Sequence, residues 1–132
     1  MYNEGILSSK QGGIPHLLAS LGNHAKHADV VEQACWAVSL LAGCNDTDTV
    51  LIATEGGIPL ILAALDNHAK HAGVVEEACW ALNNVGSSDK TVQKSIKDAG
   101  AEKMVRTAVG WSDATANTKK YGQQLLDKLA KL

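Results

Sequence analysis

The fifteen residues NHAKHADVVEQACWA at 23–37 return as NHAKHAGVVEEACWA at 67–81, 44 positions later. A fixed-period repeat restricts a fold more than composition does, because each unit must bury its apolar face against a near copy of itself. Aligned at a shift of 44, residues 12–44 and 56–88 share 20 of 33 positions without a gap. A second shift of 44 brings GAEKMVRTAVG at 100–110 and KKYGQQLLDKLAKL at 119–132 into the same frame. There the letters diverge and the apolar spacing persists. Three periods of 44 account for all 132 residues. The expectation is therefore one domain, 1–132, of three units at about 1–44, 45–88 and 89–132, with no linker.

Within a unit the periodicity is helical. Val74, Ala78, Ala81, Leu82 and Val85 recur as one helix stripe, as do Val30, Ala34, Ala37, Val38 and Leu41, and Gly122, Leu125, Leu126 and Leu129 continue it. Gly43 and Gly86 suit the ends of these last helices. A second helix starts at each GGIP, where glycine permits a sharp turn and proline suits a first helical turn. Its inner face is Leu17, Leu18 and Leu21, or Ile61, Leu62 and Leu65. Ahead of it, TDTVLIATE at 47–55 and TVQKSIKDA at 91–99 form a short helix, with Thr47 and Asp48 as caps. The matching NEGILSSKQ of the first unit is interrupted by Gly5. The fold class is all-α.

With 45% hydrophobic and 20% charged residues, a packed core is expected. A net charge of −2 argues against general nucleic-acid binding. No apolar run is long enough to span a membrane. Cys35, Cys44 and Cys79 make an odd count; Cys35 and Cys79 fall inside the apolar patterns and are expected as small buried core residues in a reducing compartment, not as a disulfide framework. The expected localisation is intracellular, cytoplasmic or nuclear.

The GGIP turns followed by VVEEACWALNNVG resemble armadillo repeats, whose second helix carries IPxLVxLL and whose third carries QEAxWALxNIA. The resemblance spans essentially the whole chain. The loop NHAKHADVVE is similar to that of the armadillo units of leucine-rich-repeat kinases and related proteins; HEAT repeats, the nearest rival, lack the short first helix and the Trp–Asn pattern. The resemblance implies a right-handed α-solenoid of three-helix repeats whose third helices line a concave groove. It further implies that a Trp and an Asn one turn later face that groove, the Asn holding a peptide backbone and the Trp faces forming side-chain pockets. Trp36 and Trp80 match the Trp, and Asn84 matches the Asn. Leu40 departs in the first unit, and Gln124 and Lys128 stand in both places in the third. A regular amide ladder is therefore not expected.

Spacing alone yields the same stripe. Gln33, Trp36, Leu40 and Gly43 share a helix face, as do Glu77, Trp80, Asn84 and Ser87, and Tyr121, Gln124, Lys128 and Lys131. Large aromatics on a semi-polar face suit a binding surface. The competing reading has the Trp rings covering seams between units. Gln33, Trp36, Glu77, Trp80, Asn84, Ser87, Tyr121 and Gln124 are the candidate binding residues.

His24 with His27, and His68 with His71, have HxxH spacing. Two histidines per unit fall short of a closed zinc site; the alternative is that they pack or cap the loop before the third helix. Neither a GxSxG nucleophile setting nor a phosphate-cradling glycine loop is present. No enzyme activity and no cofactor are expected.

Residues 1–88 carry nine acids and three bases, residues 89–132 five acids and nine bases. Arg106, Lys119, Lys120 and Gln123 replace apolar or acidic counterparts, as a polar terminal cap would require, or as an anionic partner would. The N-terminal unit has no such cap. The functional expectation is a non-catalytic scaffold binding a protein or extended peptide in its groove. The alternative is a structural or engineered repeat fragment that self-associates as a homo-oligomer through its N-terminal face.

Overall fold

The computed structural model describes residues 13–44 and 46–132. Among these residues the chain forms eight α-helices and no strand: α1 (Gly13–Asn23), α2 (Ala28–Cys44), α3 (Asp46–Thr54), α4 (Gly57–Asn67), α5 (Ala72–Val85), α6 (Lys90–Asp98), α7 (Ala101–Gly110) and α8 (Ala116–Ala130). Two complete triplets, α3–α4–α5 and α6–α7–α8, follow the pair α1–α2. The short helix expected within NEGILSSKQ lies outside the described residues.

Local chemistry sets the helix starts. Gly56 and Gly100 hold φ of 88° and 89° ahead of α4 and α7, a backbone region open to glycine and strained for other residues. That reversal lets α3 and α4 meet at 73°. Asp89 caps α6 by accepting from the Val92 amide at 2.9 Å, and Thr115 caps α8 by accepting from Thr118 at 3.0 Å. Thr47 and Asp48 are not caps: α3 already begins at Asp46. Asp48 and Thr49 are buried in its first turn, and Thr49 donates to the Ala42 carbonyl at 2.9 Å, tying α3 to the end of α2. Gly43 stands inside the last turn of α2. Gly86 does end α5, in a right-handed conformation.

The helices stack in rows. α2 packs on α5 and α5 on α8; α1, α4 and α7 form a second row, and α3 and α6 a third. The chain is thus an α-solenoid of repeats, with its core between the rows. Ile61, Leu82, Ile96, Leu125 and Leu129 are fully enclosed there, each burial stabilising by about 1.5–3 kcal/mol. No single helix among the described residues is long and apolar enough to cross a membrane.

The core stripe of the first unit differs from expectation. Val74, Ala81 and Val85 are fully buried, yet their counterpart Val30 is 37% exposed and Ala37 and Leu41 are only half-buried. The buried stripe of α2 is Val31, Ala34, Cys35, Val38 and Ala42. The cause is stacking: α5 packs on α2 of the preceding unit, and no described helix stands in that place for α2.

Candidate functional site

The row α2–α5–α8 carries seven of the eight candidate residues, with Ser87 just past the end of α5, and none of the eight is in the core. On α2, Gln33, Trp36, Leu40 and Gly43 are all exposed, Trp36 at 43% and Leu40 at 42%. On α5, Glu77, Trp80 and Asn84 are half-buried, with Ser87 exposed just past its end; on α8, Tyr121 and Lys128 are half-buried and Gln124 is exposed. A 3–4 spacing kept through three helices, each offset from its apolar stripe, produces this continuous accessible face.

Its chemistry divides along the helix direction. Toward the helix starts it is aromatic and acidic. The Trp80 and Tyr121 rings stack with centroids 5.7 Å apart at 14°, and the Lys120 ammonium lies 5.5 Å from the Tyr121 ring centre. One oxygen of Glu77, Oε1, is buried and has no hydrogen-bond partner among the described residues. Burial, with the Glu76 and Glu32 carboxylates adding repulsion, pushes the Glu77 carboxyl up to about 6. Glu76 is itself engaged, accepting from the Thr115 hydroxyl at 2.6 Å.

Toward the helix ends the face is knitted by hydrogen bonds across the units. Asn84 Nδ2 donates to the Ser39 carbonyl at 2.8 Å. Its counterpart Lys128 donates to the Asn83 carbonyl at 3.2 Å, to Asn83 Oδ1 at 2.8 Å and to Ser87 Oγ at 2.6 Å. Asn83 Nδ2 donates to Gln124 Oε1 at 2.8 Å. Burial lowers the Lys128 ammonium below the ordinary lysine range. The amide that the resemblance assigns to a peptide backbone thus gives one bond to the preceding unit, with a second N–H and Oδ1 besides. Leu40, without a donor, has no such reach.

Asn83 was not among the candidates. It is buried, at a position where the first unit has Ser39, and a polar residue inside an apolar helix pattern is the signal that marks it.

The histidines act in the loops. His68 Nε2 lies 2.8 Å from the Ala25 carbonyl, bridging the loops of units one and two. His71 Nδ1 accepts from the Val74 amide at 3.2 Å, capping α5, and sits 3.9 Å from Glu32 Oε1. Cys35 and Cys79 are buried, and burial pushes both thiols up to about 12, with Glu77 adding to the effect at Cys35. Cys44 is exposed.

The sequence profile of the armadillo/beta-catenin-like repeat matches residues 8–43 and 45–87, more than half of the chain. Among solved structures, the fold is similar to a designed armadillo repeat protein in complex with the peptide (KR)4. The TM-score is 0.76 at 22% sequence identity, covering 91% of this chain and 48% of that one. This chain therefore spans about half the length of that protein. No curated protein sequence matches the chain significantly.

Proposed function

The chain belongs to the armadillo repeat family, and from that premise we propose that the α2–α5–α8 face is a non-catalytic docking groove for an extended segment of a partner protein. One observation carries the reading: Trp36 and Leu40 stand exposed on one helix face beside the Trp80–Tyr121 stack. Large aromatic and aliphatic groups held at a semi-polar surface supply binding energy when a partner covers them.

The residues also suggest what docks. Trp36 is free to take a cation over its ring, and Glu77 brings a half-buried carboxylate to the same row. A lysine or arginine side chain answers both demands. The designed relative holds a peptide of alternating Lys and Arg. Toward α8 the charge reverses, with Lys120 and Lys131 exposed, which favours an acidic residue at that end of the segment. Because Asn84 and Lys128 each bond the preceding unit, affinity in this reading leans on side-chain pockets more than on a ladder of bonds to the partner's backbone.

The test is selection from a displayed peptide library, followed by calorimetry with the selected peptides. Trp36→Ala should weaken binding by about tenfold or more, as loss of a hot-spot aromatic does, with helical content unchanged. Selected peptides that bind the Trp36→Ala protein as well as wild type would remove the groove assignment.

A second reading concerns the N-terminal face. Val30, with half-buried Leu17, Ala37 and Leu41, leaves uncovered what the counterparts Val74, Ile61, Ala81 and Val85 bury. An apolar face of this kind favours self-association. Light scattering across concentration, on wild type and on Val30→Glu, tests it; a concentration-independent mass for wild type would end this reading.

A further inference from the structure

The junction between units two and three holds a cavity of about 630 Å³ that the groove does not use. It lies between the second-row helices α4 and α7. Its walls are apolar: Leu65, Met104, Ala108 and Trp111. Lys70, Lys103 and Asp66 stand at its rim. Both lysines are exposed, and neither forms an ion pair among the described residues.

The repeat itself explains why the cavity is here. At the junction of units one and two, His68 reaches across to the Ala25 carbonyl and closes the gap between the loops. Forty-four residues on, the partners are Ser112 and Ala69. A serine hydroxyl on a one-carbon stem is far shorter than an imidazole and leaves that gap open. In the same step Asn67 becomes Trp111, Leu60 becomes Met104 and Pro59 becomes Lys103. The latch is lost while an aromatic wall, a conformationally adaptable thioether and a cation are gained. A cavity of this size with apolar walls and few polar rim groups has the form of a small-molecule site.

We infer that this cavity binds a small amphipathic anion, an aryl or alkyl group bearing a carboxylate or sulfonate. The apolar part sits against Met104 and Trp111, and the acid group meets Lys70 and Lys103. Two cations against the single carboxylate of Asp66 set the preference for an anion. The site is separate from the groove, since no lining residue belongs to α2, α5 or α8.

The probe is 1-anilinonaphthalene-8-sulfonate, followed by its own fluorescence and by energy transfer from tryptophan. Wild type should bind it saturably at one site, and an aliphatic carboxylate of about ten carbons should displace it while the matching alcohol does not. The Ser112→His variant rebuilds the latch, and the doubly substituted Lys70→Glu, Lys103→Glu protein reverses the rim charge on exposed positions that cost little stability. Each should weaken binding by about tenfold or more, roughly the worth of one charge-assisted contact. Amide chemical-shift changes on adding the probe should be confined to α4, α7 and the loops beside them. Unchanged affinity in the folded charge-reversal variant, equal displacement by acid and alcohol, or shift changes centred on Val30 or Trp36 would each overturn the assignment.

Discussion

Asn84 donates its side-chain amide to the main-chain carbonyl of Ser39, 45 residues earlier, across the seam between two units. Lys128 makes the same step from the next unit, to the carbonyl of Asn83. The position that the family resemblance assigns to partner binding is used in this chain to hold one unit to the one before it.

Asn84→Leu, which installs the residue found at the equivalent position of the first unit, should therefore lower stability by about 1 kcal/mol, the net worth of one hydrogen bond. Urea denaturation checks this. A stability equal to wild type would mean that the bond to Ser39 contributes nothing.

The Trp80–Tyr121 stack joins the second and third units directly. A double-mutant cycle with Trp80→Ala and Tyr121→Ala should give a coupling of about 0.5–1.5 kcal/mol beyond the two separate losses. Trp80→Ala alone should thus destabilise the fold, whereas Trp36→Ala, on an exposed ring, should leave it nearly unchanged.

Glu77 makes stability depend on pH. Its folded value, about 6, lies above the ordinary 4.5. For a group raised in the folded state, the unfolded chain gives up its proton first, so stability falls as pH rises between the two values. Thermal melts should show wild type losing ground to Glu77→Gln as pH rises from 4.5 to about 6, with a constant difference above that window. Parallel curves throughout would show that the carboxyl is not perturbed.

Two glycines should respond with opposite signs. A Cβ at Gly57 would lie 2.6 Å from the main-chain oxygen of Ile52, which cannot move aside. Gly57→Ala should cost about 1–3 kcal/mol, as overpacking does. At Gly110 a Cβ would meet nothing within 4 Å, and Gly110→Ala should be neutral or stabilise by up to about 1 kcal/mol through helix propensity. Denaturation midpoints of the two variants separate these outcomes.

Thiol chemistry reports the packing. Cys35 and Cys79 are buried with their thiols pushed up to about 12, and Cys44 is exposed. Because the thiolate is the reactive species, a disulfide reagent near neutral pH should modify Cys44 alone in the native protein and all three cysteines in denaturant. Rapid labelling of Cys35 under native conditions would show that the seam around α2 and α5 opens readily.

The period of 44 and the glycine turns foretold the helices and their order, because those features act within a unit. Burial between units was harder to foresee. Val30 and Val74 are the same letter in nearly the same sentence, yet one is 37% exposed and the other fully enclosed. The difference lies in the neighbour, which a repeat motif does not specify. Likewise His68 and Ser112 occupy one register, and only the longer side chain bridges the loops. The eight candidate residues lie along the α2–α5–α8 row and outside the core, as their spacing required. The use of Asn84 was not legible, because a peptide carbonyl and a neighbouring helix carbonyl make the same demand of an amide.

Bonds between units lie on both sides of this row: Ser39, Asn83, Asn84, Ser87 and Lys128 near the ends of the helices, and Thr115 with Glu76 and His68 with Ala25 near their starts, with the Trp80–Tyr121 stack between them. Hydrogen bonds hold an angle, and offset-stacked rings hold a preferred spacing. The row is therefore stitched on both sides of its aromatic centre. A seam stitched on both sides resists bending as well as separation, so neighbouring units carry their relative angle with them.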